Sequence, residues 1–414
     1  MKLAVMGQGY VGLPLAMAAV DAGHQVIGYE PDHGRFEDLS QGRSYVEDVP
    51  DKVLRAAHAS GRYQPARDDA LLLDFDVAVI TVPTPLRDRQ PDLSFVRAAS
   101  RTLAAQMKAG ATVVLESTTH PGTTRDLVVP ILERATGWKA GEDFHVGFSP
   151  ERIDPGNDRW SFENTPKIVA GLTPACLERV LEFYGGITQQ VVPADSLEAA
   201  ELAKVFENTF RHVNIALVNE LSQLARVLGV DVWHTLDLAA TKPFGFTKFV
   251  PGPGVGGHCL PVDPVYLTHH ARTQHGHALR LVELAQDVND GQPAYVVSRL
   301  QDALNTRSIA LNGARILVLG LAYKPGTADL RESPAVAVAE LLVEKGARLD
   351  IVEPHLTKVT TGDFRAIPRD LAVYDAVVLL TPHPEFDLQH VADNARYVLD
   401  TRGAMPVAPH IERL

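Results

Sequence analysis

A cysteine closes the most glycine-dense stretch of the chain, Pro251-Gly252-Pro253-Gly254-Val255-Gly256-Gly257-His258-Cys259-Leu260-Pro261-Val262-Asp263-Pro264. Four glycines in six positions leave a bare backbone that can approach an anion or a sugar closely, and the flanking prolines limit how far the loop wanders. The only other cysteine is Cys176. Two thiols so far apart do not make a disulfide scaffold, and no further cysteines or spaced histidines complete a zinc pattern. The leading reading of Cys259 is therefore a nucleophilic thiolate, and the alternative is a small buried side chain. Cys176, in Thr173-Pro174-Ala175-Cys176-Leu177, reads as the start of a surface helix with no chemistry. Asp263, four positions beyond Cys259, can orient water, tune a proton donor or cap a helix starting at Pro264. His258 ranks lower because adjacent side chains often point apart. His269, His270, His275 and His277 lack carboxylates at metal-ligand spacing, so no metal site is expected.

A second pair precedes this loop. Asp195 and Glu198 have capping-box spacing, and the sequence predicts a helix from Leu197 to Leu228, ended by Gly229. Leu202, Phe206, Phe210, Val213, Leu217, Leu221 and Leu224 supply its apolar rhythm and are expected to form its core face. Lys204 and Asn208 lie four apart on one side of it, with Glu201 and Asn219 adding polarity. A lone polar residue on such a helix is normally solvated; this pair gains interest from the thiol loop that follows in the same central region. Lys242 and Lys248, in the approach to that loop, read equally as phosphate ligands or solvated cations. A helix over Leu279–Asn289, restarting at Pro293 towards Leu304, completes a central layer. Its apolar surface exceeds what one thin layer needs and predicts a dimer interface.

The elements before the centre alternate as in a parallel α/β sheet. Leu3–Met6 reads as a buried strand, followed by Gly7-Gln8-Gly9-Tyr10-Val11-Gly12 and a helical run to Ala22. Gly7 suits the tight turn, Gly9 a close pyrophosphate approach and Gly12 close packing of helix on strand. Gln25–Tyr29 gives a second strand ending in Glu30, a candidate partner for an adenosine ribose diol that favours NAD over its phosphorylated analogue. Arg35 can pair with Glu30 or meet a phosphate. Asp76–Val82 is a strand running into the stiff Pro83-Thr84-Pro85 loop. Ala111–Glu116 is another, ending in a Ser117–Thr124 cluster whose hydroxyls line a crevice or cap a helix. Beyond a strand at Phe144–Phe148 come Glu151 and Arg152, either functional or a surface ion pair. Strands at Lys167–Gly171 and Gln190–Val192 complete this part.

After the centre, Gly313–Tyr323 opens a second α/β pattern, with strands near 348–352, 376–380 and 397–400 and a helix near 335–344. Its strand-to-helix loop, Lys324–Pro334, has no GxGxxG. Lys324 can neutralise phosphate there, and Arg331 can make a bidentate contact or bridge domains, with surface ion pairs as the alternative. A cleft between the two halves would take a dinucleotide on one side and a second nucleotide on the other. The expected fold class is α/β, two Rossmann-like domains joined by a central helical domain, divided at 1–195, 196–304 and 305–414.

With 414 residues, 45% of them apolar, the chain can bury at least two cores. A net charge of -12 argues against a general nucleic-acid surface. No stretch reaches transmembrane length, and Met1–Met6 runs into the glycine motif rather than a signal-peptide core. The expected location is the cytoplasm, with both thiols reduced.

The amino-terminal GQGYVG, the SPER string holding Glu151, Lys204-x-x-x-Asn208, the GPGVGGHC-x-PVD loop and the Lys324–Pro334 loop together resemble the UDP-glucose/GDP-mannose dehydrogenase family. Five motifs in the family's order span nearly the whole chain. The resemblance implies an NAD-binding domain, a central helical dimerisation domain and a nucleotide-sugar domain. It also implies oxidation of a hexose C6 alcohol to the uronic acid with two NAD reduced, as polysaccharide biosynthesis requires. By the same resemblance Cys259 is the covalent nucleophile, Lys204, Asn208 and Asp263 surround the reacting oxygen or water, and Glu151 serves thioester hydrolysis. Thr118 positions water or cofactor. The implied cofactor contacts are Gly7, Gly9, Tyr10, Val11, Gly12, Glu30, Arg35, Pro83, Thr84, Thr118 and Arg331. The implied substrate contacts are Glu151, Arg152, Lys204, Asn208, Phe249, Gly254, Gly256, Gly257 and Lys324. The approach segment resembles the UDP-N-acetylglucosamine branch, with Pro243 where UDP-glucose enzymes resemble a version bearing arginine. UDP-glucose is the alternative substrate, a one-step dehydrogenase the alternative reaction, and an NAD-binding sensor or scaffold the non-enzymatic alternative.

Overall fold

The computed structural model describes residues 1–153, 159–356, 363–364 and 366–414. The chain divides into two compact units, one formed by Met1–Glu207 with Val265–Gln274, the other by Asn208–Pro264 with His275–Leu414.

The first unit is built on strands β1 (Lys2–Met6), β2 (Gln25–Tyr29), β3 (Tyr63–Ala66) and β4 (Phe75–Ile80), a small hairpin of β5 (Leu86–Arg87) and β6 (Gln90–Pro91), then β7 (Met107–Leu115), β8 (His145–Phe148), β9 (Lys167–Gly171) and β10 (Val191–Pro193). The hairpin apart, these form one sheet in the order β10-β9-β8-β7-β4-β1-β2-β3. β1 pairs with β2 on one side and β4 on the other, so the connections diverge there and open a crevice at the strand ends. Leu3, Val5, Val79 and Val114 face one apolar layer, while Ala4, Met6, Ile80 and Val113 face the other. Burial on both faces explains why these strands read as continuous apolar runs. The sheet departs from the expected parallel pattern at one place: β9 runs antiparallel to β8, Phe148 opposite Ala170. Cys176 is also buried rather than on a surface face, its N–H taken by the Thr173 hydroxyl that caps the helix Pro174–Gly185.

The second unit carries β11 (Arg315–Leu319), β12 (Arg348–Val352), β13 (Asp363–Phe364), β14 (Ala376–Leu379), β15 (Val398–Asp400) and β16 (Ile411–Arg413), all parallel, ordered β13-β12-β11-β14-β15-β16. Ile316 and Val318 pack under the helices Arg280–Asn305 and Pro334–Glu344, while Leu317 and Leu319 face a layer with Leu371, Phe386 and Val391. Pro293 does not split the former helix as expected. A proline removes one backbone hydrogen bond, and burial of Val296, Val297 and Leu300 just beyond it carries the helix through.

The helix Leu197–Leu228 has the expected bounds. Gly229 takes φ +67°, and Val230 N–H reaches back to Ala225 O at 2.9 Å, which closes the last turn. Its start differs: the Ser196 hydroxyl, not Asp195, accepts from Ala199 N–H at 3.1 Å. Its sidedness is the reverse of the expectation. Leu202, Phe206, Phe210, Leu217, Leu221 and Leu224 are 36–63% exposed, whereas Glu201, Lys204, Asn208, His212, Asn219 and Ser222 are buried. Both sets repeat at three-to-four-residue spacing, so periodicity locates the faces without saying which one turns inward. The mixed α/β architecture is the expected fold class. Among the described residues, no helix is long and apolar enough to cross a membrane.

Candidate active site

In the first unit the three glycines after β1 divide the work of one turn. Gly7 has φ +95°, and a Cβ there would lie 2.9 Å from Thr81 O. A Cβ on Gly12 would lie 1.9 Å from Gly7 O, so the helix Gly12–Asp21 closes onto the turn itself as well as onto the sheet. Gly9 has nothing within 4 Å on its open side, which leaves the first-turn N–H groups accessible to an anion. Glu30 is buried at the end of β2, accepting from Gln8 N–H and Asp32 N–H at 3.1 Å each. Tyr45 donates to Gln8 O at 2.8 Å, and Arg35 sits over the Tyr45 ring at 5.4 Å. An open glycine turn, a helix start and a buried acid on the neighbouring strand fit a dinucleotide.

Around this turn, Tyr10 and Val11 are half-buried, Pro83 is exposed and Thr84 is buried. Ser117 donates to Val82 O at 2.7 Å; Thr118 is half-buried, and the buried Thr119 hydroxyl has no hydrogen-bond partner among the described residues. The hydroxyls do not cap the following helix as anticipated. Glu201 does this from the long helix, accepting from Gly122 N–H, from Thr124 N–H at 2.8 Å and from the Thr124 hydroxyl at 2.6 Å. Burial pushes the Glu201 carboxyl up to about 7 against the lowering effect of those donors.

Glu151 and Arg152 part company. Arg152 pairs with Glu207 at 2.7 Å and donates to Pro166 O. Glu151 is buried, accepting from the N–H groups of Arg152 and Ile153 through one oxygen and from Lys167 Nζ at 3.0 Å through the other. Lys167 also pairs with Glu116, whose second oxygen takes the Tyr184 hydroxyl at 2.6 Å. Burial raises the Glu116 carboxyl to about 8; at Glu151 burial acts the same way, but Lys167 and the donors outweigh it and hold that carboxyl below its usual range. Lys204 is buried on the helix face that also carries Asn208 one turn on.

In the second unit Asn208 donates to the buried Asp263, the first residue of the helix Asp263–His275. The Asp263 carboxylate is thus fixed by a neutral partner. Cys259 is exposed, and its carbonyl accepts from Val262 N–H at 3.2 Å and Asp263 N–H at 2.9 Å. That tight turn leads directly into the helix Asp263–His275, with Cys259 on the segment that enters it. Gly257 has φ +86°, and a Cβ there would lie 2.7 Å from the Tyr323 ring; one on Gly256 would meet Glu332 O at 2.8 Å. Gly254 lies 3.0 Å by the same measure from Pro334. The glycines thus admit the Lys324–Pro334 loop, to which Gly257 N–H is bonded at Arg331 O, 3.1 Å. Arg331 forks onto Asp329, Lys324 is half-buried, and Phe249 packs edge-on to Phe210.

The residues that sequence reasoning left out are those that fix others. Asn219, noted only as polar, holds Gly252 N–H at 2.9 Å and is itself held by Asn289. Glu116 and Lys167, read as strand ends, enclose Glu151. A charged residue bounding an apolar strand was the available signal, but their meeting depends on strand order.

Sequence models of the UDP-glucose/GDP-mannose dehydrogenase family match residues 1–188 as its NAD-binding domain, 198–291 as its central domain and 317–406 as its UDP-binding domain. The chain is 36% identical to the UDP-N-acetyl-D-glucosamine 6-dehydrogenase of Pseudomonas aeruginosa, covering 97% of each. It superposes on the UDP-D-ManNAc dehydrogenase structure from Pyrococcus horikoshii with a TM-score of 0.90 and 32% identity, covering 100% of this chain and 99% of that one. A UDP-glucose dehydrogenase structure from Pyrobaculum islandicum gives 0.86 at 28% identity, over 100% and 96%. Taken with the open glycine turn, these matches define an NAD-dependent nucleotide-sugar dehydrogenase. The chain belongs to the UDP-glucose/GDP-mannose dehydrogenase family.

Proposed function

We propose that the enzyme oxidises the C6 alcohol of a UDP-N-acetylhexosamine, with UDP-N-acetylglucosamine favoured, to the uronic acid, reducing two NAD per sugar. The observation that carries the reading is Cys259, exposed on the segment that enters the helix Asp263–His275, beside the fixed Asn208–Asp263 pair. The substrate preference is supported by the identity to the Pseudomonas relative and by Pro243, which offers no guanidinium to the sugar.

NAD held at the glycine turn would supply the hydride acceptor for both oxidations. Gly7, Gly9 and Gly12 open the turn for the pyrophosphate; Glu30 binds the ribose diol, with Tyr10, Val11, Arg35, Pro83, Thr84, Thr118 and Arg331 as further contacts. Lys324, Arg152, Phe249 and the bare backbone of Gly254, Gly256 and Gly257 hold the sugar nucleotide. The Cys259 thiolate attacks the aldehyde to give a thiohemiacetal, and its oxidation leaves a thioester. Lys204 and Asn208 stabilise the oxyanion at each stage, while Asp263 and Glu151 take and return protons before water releases the acid. The proposed division of labour is 1–195 for cofactor, 196–304 for helical joining and dimerisation, and 305–414 for nucleotide sugar. A homodimer is supported by the exposed apolar stripe of the long helix, and a reduced catalytic thiol accords with the cytoplasm.

The test is a panel of UDP-N-acetylglucosamine, UDP-N-acetylmannosamine and UDP-glucose, read for both NADH and acid. Two NADH per acid, fastest with the first sugar, is expected. One NADH with no acid would exclude the thioester route, and a preference for UDP-glucose would transfer the assignment to that sugar.

A further inference from the structure

The reversed strand β9 has a consequence at the edge where the chemistry is proposed. Running antiparallel to β8, with Gly171 opposite Gly147, it places its first residue beyond the carboxyl end of β8, level with Glu151 and with Glu116 at the end of β7. A parallel β9 would have left Lys167 at the opposite edge of the sheet. The Lys167 side chain is 4% exposed and its ammonium lies between two carboxylates. Among the described residues, the groups around Glu151 are Lys167 from β9, Glu116 from the end of β7, Tyr184 from the helix Pro174–Gly185, which bonds to Glu116, and the neighbouring Arg152, whose guanidinium is committed to Glu207. The rings of Phe162 and Tyr184 lie 5.1 and 5.5 Å from the ammonium and keep the cluster apolar on that side.

We propose that Lys167 is a positioning residue for thioester hydrolysis, holding Glu151 as an oriented carboxylate so that Glu151 takes the proton of the attacking water. This rests on the proposed role of Glu151. In that step the water oxygen bonds to the thioester carbonyl carbon and its proton passes to Glu151. The carbon–sulfur bond then breaks and its electron pair leaves with the Cys259 sulfur. Without the ammonium, a buried carboxyl favours its neutral form and cannot accept the proton. Burial pushes the Glu116 carboxyl up while Lys167 and the donors hold the Glu151 carboxyl down, so of the two acids flanking the ammonium Glu151 keeps its charge the more readily.

The experiment compares wild type, Lys167→Met and Lys167→Arg for acid formation across pH and for the NADH burst on rapid mixing with NAD and UDP-N-acetylglucosamine. In Lys167→Met the acid limb is expected to move up by about one pH unit or more, with acid formation below that limb falling roughly tenfold per unit. A burst of two NADH per site should become visible as the thioester accumulates. Lys167→Arg should return the midpoint towards wild type. If Lys167→Met does not fold, Lys167→Met/Glu116→Gln, with one carboxylate fewer around the lost cation, carries the same test. An unmoved acid limb and unchanged acid release in a variant that binds NAD normally would overturn the role of Lys167. Failure of wild type to pass through a thioester would instead remove the proposed function beneath it.

Discussion

Single residues in this enzyme act through how many partners they already have. Glu30 accepts from Gln8 N–H in the glycine turn through one oxygen and from Asp32 N–H just beyond its own strand through the other, which fixes its carboxylate at the strand ends. Glu30→Ala is expected to weaken NAD by roughly 10- to 100-fold, the loss of charged hydrogen bonds of about 1.5–3 kcal/mol, leaving UDP binding unchanged. Titration calorimetry with each nucleotide checks this, and equal loss for both would remove Glu30 from the ribose contact. Glu30 was legible because its position after the glycine turn and second strand is fixed by local order. Lys167 was not: it stands 51 residues from Glu116 in sequence, and only the strand reversal brings the two together.

At the scale of elements, the long helix shows what periodicity conveys. Its bounds followed from Gly229 and the apolar rhythm, but the same rhythm describes a polar face, and burial falls on that one. Side chains needing fixed geometry, such as Asn219 on Gly252 and Glu201 on the Gly122–Thr124 turn, account for the inversion. The exposed apolar stripe is the face proposed for the dimer. Phe206→Asp with Leu217→Asp is expected to halve the sedimenting mass; an unchanged mass would place the dimer contact elsewhere. Glu201 gives a pH test. Its carboxyl is raised to about 7 by burial, so between about 4.5 and 7 the folded chain holds a proton that the unfolded chain has lost. Stability therefore falls as pH rises through that window, by on the order of 3 kcal/mol from this group. Denaturant unfolding of Glu201→Gln at pH 5 and 8 should show a smaller decline than wild type, and an equal decline would contradict the assignment.

For the whole molecule, the proposed function rests on one sulfur atom, that of Cys259, keeping a half-oxidised sugar until a second hydride has left. The family was legible from five motifs in order, while the sugar was not, because an acetamido group or a hydroxyl at C2 is distinguished by pocket walls that no short motif records. The claim on which the rest depends is covalent capture. Enzyme turning over UDP-N-acetylglucosamine with excess NAD, quenched in acid and digested, is measured by mass spectrometry. The account expects the peptide bearing Cys259 to carry the mass of the nucleotide uronoyl group, and that mass to be absent from Cys259→Ser, which forms no acid. Full conversion to uronic acid by folded Cys259→Ser would contradict it.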